Sequence, residues 1–121
     1  MPIDVKNIPL KEIDHKVDDP EKDVQITILF GNGQTGGSRI EDSSEKLIAK
    51  GRIVKKSLGK GKELVGKRLI FYSNVLDTNQ EDPENWVFVE YIFSNTLAAY
   101  NFKDMAPENG IVSYQIIYNF I

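Results

Sequence analysis

Residues 111–121 read IVSYQIIYNFI. Within them Val112, Tyr114, Ile116, Tyr118 and Phe120 occupy every second position without a break. Side chains of a strand alternate between its two faces, so this period predicts a strand with one wholly apolar face. The β-branched and aromatic content agrees. Residues 24–30, VQITILF, repeat the pattern, with Val24, Ile26, Ile28 and Phe30 opposite Gln25, Thr27 and Leu29. Residues 67–76 do so again. There Leu69, Phe71, Ser73 and Val75 oppose Ile70, Tyr72, Asn74 and Leu76. Residues 86–93, WVFVEYIF, are apolar on nearly both faces, which predicts a strand placed centrally or between layers.

Weaker signals lie between these four. Ile3, Val5, Ile8, Leu10 and Ile13 suit a short edge strand. Residues 38–45 suit a short strand and turn, 47–54 a weakly alternating strand, and 96–102 a short strand or a helical turn. Residues 17–23, 77–85 and 106–110 are turns by composition, and 57–66, SLGKGKELVG, is a glycine-punctuated loop. No stretch carries a long, capped, amphipathic helical period. The expected fold is therefore an all-β, antiparallel β-sandwich of about seven to eight strands, forming one domain over residues 1–121. A small closed β-barrel is the alternative.

Composition narrows the function classes. The chain has 121 residues, 40% of them apolar, enough for a core. It has no cysteine, so disulfides, thiolate metal sites and a cysteine nucleophile are excluded. Its net charge of −3 offers no global field for nucleic acid or a membrane surface. No segment is long and apolar enough to span a bilayer. The start, MPIDVKNIPLKEIDHK, lacks the basic and apolar regions of a secretory signal. A cytoplasmic location is the default expectation, with an exported one left open.

Charge is unevenly distributed. Between Lys50 and Arg68 stand Lys50, Arg52, Lys55, Lys56, Lys60, Lys62, Lys67 and Arg68, opposed only by Glu63. This window carries +7 and the rest of the chain −10. Lys50, Arg52, Lys55, Lys56, Lys60 and Lys62 are the candidate partner-binding residues, facing an acidic protein or copies of the same chain. Nucleic acid is disfavoured as a partner, because no aromatic side chain for base stacking is interleaved with these cations. The competing reading is a solvated edge whose lysines discourage sheet-to-sheet pairing.

Other features are less selective. Gly31 to Gly37 contains G-x-G-x-x-G after a strand. A dinucleotide site needs a crossover helix next, and the polar residues that follow do not supply one, so a β–β connection is expected. Asp18 and Asp19 in one acidic turn, and Asp77, Asp82 and Glu84 in another, are weak candidate calcium ligands if both turns share one end of the sandwich. Aspartate also favours turns without any ligand. The one histidine, His15, lies in a charged segment and is expected to be a mobile surface residue. Trp86 is expected to anchor the core or its rim, and at least half of Tyr91, Tyr100, Tyr114 and Tyr118 to be core. No catalytic constellation emerges and no cofactor is required. The expected function is a non-enzymatic binding or assembly module, a protein-interaction or structural subunit capable of homo-oligomerisation. The alternative is a calcium-dependent lipid- or carbohydrate-binding sandwich.

Overall fold

A computed structural model of the chain describes residues 5–31, 35–76, 86–94, 99–107 and 110–121. Among these residues it contains ten strands and one short helix. They are β1 (Val5–Asn7), β2 (Lys11–His15), β3 (Asp23–Phe30), β4 (Thr35–Asp42), β5 (Leu47–Gly51), β6 (Lys56–Lys60), α1 (Gly61–Leu64), β7 (Arg68–Leu76), β8 (Trp86–Phe93), β9 (Ala99–Met105) and β10 (Ile111–Phe120). The larger sheet runs β1-β10-β7-β4-β5, with β2 also paired to β10. The smaller runs β6-β3-β8-β9. Both keep free edges, so the architecture is a two-sheet sandwich and the closed barrel is set aside. No helix among the described residues is long and apolar enough to cross a membrane.

The four strongly alternating segments form the centres of the two sheets. Buried residues occupy alternate positions through β3, β7, β8 and β10. The aromatic heart is Phe71, Tyr91, Phe93 and Tyr118, with ring centroids 4.9–6.1 Å apart, mostly edge to face. Of its two phenols, Tyr91 is bonded across the sheets, while the buried Tyr118 Oη has no hydrogen-bond partner among the described residues. Tyr91 Oη donates to Ser73 Oγ at 2.6 Å, and Ser73 shares a 2.8 Å bond with Ser38 Oγ. Tyr114 Oη donates to Asp104 Oδ2 at 2.7 Å. Bonded hydroxyls of this kind remove the desolvation cost of burying a phenol. Burial pushes the Tyr91 and Tyr114 phenols well above their ordinary range, and Asp104 raises Tyr114 further.

Several expectations are corrected. The strand count exceeds seven or eight because the edges divide. β1 and β2 are one edge segment interrupted at Pro9, which lacks the N–H a ladder needs. Both run parallel to β10, whereas every other ladder is antiparallel. Residues 57–66 are not a plain loop: they contain most of β6 and the single turn of α1. Gly59, at φ 116°, sits beside the register shift between β3 and β6, a backbone conformation that glycine adopts without a Cβ penalty. Residues 35–42 form a full strand. At Gly36 a Cβ would stand 2.5 Å from Asn74 O and 2.9 Å from the Phe30 ring, so this close pairing requires glycine.

His15 is the largest departure. It is 2% exposed, not a surface residue. Pairing of β2 with β10 places it beside Phe120, stacked on Phe93 at 4.3 Å. Its Nδ1 lies 2.8 Å from Tyr100 Oη, joining the edge of the larger sheet to the edge of the smaller. Its Nε2 has no hydrogen-bond partner among the described residues. Desolvation holds the imidazole pKa below its usual value, against a weaker opposing pull from Asp18. The unfolded chain therefore takes up the proton first. Stability from this residue is complete above the unfolded pKa of about 6.5 and declines as pH falls below it towards the depressed folded value. Urea melts between neutral pH and about pH 5 should show this decline. His15→Phe, which keeps an aromatic ring in the same nest, should flatten it. An unchanged slope in that variant would assign the pH dependence elsewhere.

Candidate functional site

The basic residues gather on one side of the sandwich. β5 ends the larger sheet, β6 ends the smaller, and residues 52–55 connect them. Ile53 is buried and its carbonyl accepts from Ile28 N at 3.0 Å, so this connection is pinned to β3. Lys55 N donates to Thr27 Oγ1 at 3.0 Å, a second tie. The tied backbone carries its cations outward: Lys50, Arg52, Lys55, Lys56, Lys60 and Lys62 are all exposed. Among the described residues only Lys62 of these six has an ion-pair partner, Glu21 at 3.4 Å. The fold places Lys50 on β5, Arg52 and Lys55 in the connection, Lys56 and Lys60 on β6, and Lys62 on α1. Arg68 stands apart, bonded to Glu12 Oε1 at 2.8 Å on the outer face of the larger sheet.

Of the two acidic turns, only the first lies among the described residues. Asp18 and Asp19 precede β3, at the end where β8 and β10 finish. Asp19 Oδ1 accepts from Glu21 N at 2.9 Å, the local turn bond that aspartate favours. Asp77, Asp82 and Glu84 lie outside the described residues. Their flanks, Leu76 and Trp86, end β7 and begin β8 at the opposite end of the sandwich. Strands of about eight residues separate those ends by roughly 25 Å. Among the described residues no group of three His, Asp or Glu is placed to hold a metal ion.

Two shallow cavities lie on the outer sheet faces. One, of about 570 Å³, is flanked on the larger sheet by Arg39, Glu41, Lys50, Tyr72 and Asn74. Glu41 is 7% exposed and bound to Arg39 Nη2. Burial, followed by the Glu41 carboxylate, pushes the Tyr72 phenol upward. The other cavity, of about 530 Å³, lies on the smaller sheet between Leu29, Gly31, Phe88, Glu90, Asn101 and Lys103.

That second face was missed in the sequence. β8 is central, as its composition implied, but no layer covers its outer side among the described residues. Trp86, Phe88, Glu90 and Ile92 alternate there, each only half-buried. Trp86 is accordingly an outer-face residue and not a core anchor. Leu29 and Met105, 45% and 44% exposed, flank it on β3 and β9. Lys103 Nζ lies 4.6 Å from the Trp86 ring centroid and 5.2 Å from that of Phe88. The available signal was the apolar doubling of β8 itself, which was read as burial. The tyrosines follow expectation more closely: Tyr91, Tyr114 and Tyr118 are buried and Tyr100 half-buried.

The G-x-G-x-x-G segment joins β3 of one sheet to β4 of the other. No crossover helix follows it, so it is a β–β connection, with residues 32–34 outside the described set. In comparisons with known proteins, no family model, no curated protein and no solved structure matches this chain.

Proposed function

We propose that the chain is a non-enzymatic binding or assembly module that engages an acidic protein surface, on another protein or on a copy of itself, through the basic edge of β5, β6 and their connection. The observation that carries this reading is the exposure of six cations along β5, β6, the connection between them and α1, five of them with no ion-pair partner among the described residues. Such a patch attracts an acidic surface from a distance and sets its orientation on docking. The same lysines discourage sheet-to-sheet pairing at the edges of β5 and β6. The two roles are compatible, since charge contacts need no shared backbone ladder. The non-enzymatic part draws support from His15, whose burial removes the one histidine from any surface substrate.

Chromatography on immobilised polyglutamate tests the reading. A protein of net charge −3 is retained by a polyanion only if its positive charge is segregated. Retention should be clear at low ionic strength and lost as salt rises, because exposed charges are screened over about 8–10 Å at physiological salt. The double reversal Lys55→Glu with Lys56→Glu should elute well before the parent. Equal retention of parent and reversal would remove the basic edge from the interaction.

A further inference from the structure

We infer that the outer face of β3, β8 and β9 is a self-complementary surface on which a second copy of this chain docks about a two-fold axis. This contact is independent of the basic edge. Its apolar part is Leu29, Trp86, Phe88, Ile92 and Met105, exposed or half-buried on one sheet face. A sheet with one apolar face turned outward lowers its free energy when that face is covered.

The charges select the occupant. Glu90 and Lys103 stand diagonally across the β8–β9 ladder, since Phe88 pairs with Lys103 and Glu90 with Asn101. They form no ion pair with each other, and neither has an ion-pair partner among the described residues. Lys103 instead leans towards Trp86 and Phe88. The face therefore presents one anion and one cation beside an apolar strip. A two-fold axis in the contact plane, passing between Glu90 and Lys103, sets Glu90 of each copy against Lys103 of the other. One surface then meets itself with both charges paired and the apolar strips facing, as an isologous contact requires. A uniformly acidic or basic partner would satisfy only one of the two charges.

Light scattering after size exclusion, at high salt and over a range of protein concentrations, tests the inference. A concentration-dependent dimer is expected to persist at high salt, because burial of apolar surface is not screened. Leu29→Asp with Met105→Glu, both at exposed positions, should give a monomer that melts where the parent melts once diluted below its dimerisation range. Glu90→Lys alone should weaken the dimer by on the order of a hundredfold, by setting like charges together twice. Adding Lys103→Glu should restore it. A parent that stays monomeric at every concentration overturns the inference, as does a dimer indifferent to these substitutions. Polyglutamate retention is unaffected by either result, so failure here and failure of the basic-edge reading are separately visible.

Discussion

Deletion of residues 112–121 is expected to leave a chain with no cooperative melting transition. Among the described residues β10 is the only strand that pairs with β1 and β2, and it joins them to β7, so its loss strands the whole amino-terminal edge. It also removes Val112, Tyr114, Ile116, Tyr118 and Phe120, each at most 1% exposed. Burying one such side chain stabilises the fold by about 1.5–3 kcal/mol. Five together match the whole stability of an ordinary domain, about 5–15 kcal/mol. Circular dichroism and calorimetry on the truncated chain provide the check. A soluble product with a sharp transition would show that the core does not depend on this strand.

The second large effect is expected from Phe71→Ala. Phe71 is fully buried in β7 and contacts the rings of Tyr91, Phe93 and Tyr118. Truncating a buried phenylalanine costs about 3–5 kcal/mol, part of it from the cavity left behind. Leu29→Ala, on the outer face of the smaller sheet, should change the stability of the monomer by about 0.5 kcal/mol or less. Denaturant midpoints of the two variants, taken at high dilution, compare the faces directly. Similar losses in both would mean that the outer face is covered within one copy.

The contrast between these two positions also marks where the sequence was informative. Strict alternation in residues 24–30 and 111–121 named the inward residues of β3 and β10, because a strand has a fixed period of two, whereas residues 67–76 showed two faces without saying which one turned inward. Turn chemistry placed most of the connections. The basic residues were readable as a group, and their exposure follows from the cost of burying unpaired charge. Residues 86–93 were harder, because a strand apolar on both faces reads alike whether a layer covers it or a surface is left open. Here composition implies a covering, and the fold leaves Trp86 and Phe88 half-exposed.

His15 shows the same limit from the other side. Its neighbours Asp14 and Lys16 are exposed, and local charge implied that it would be too. Its burial depends on a parallel pairing between β2 and β10, more than a hundred positions away in the chain. No local pattern encodes such a partner. The acidic turns were likewise legible one by one, but it is the ladder registers that put the start of β3 and the end of β7 at opposite ends of the sandwich.

By itself the sequence determined the all-β class, the inward faces of β3 and β10 and the segregation of positive charge, because each follows from local period or from composition. Tertiary structure alone decided that β5 and β6 end their sheets at either side of a basic connection, that His15 is enclosed between the sheets, and that no layer among the described residues covers the outer face of β8. Those outcomes depend on which strands become neighbours, and pairing between distant segments is a cooperative result of packing the entire core.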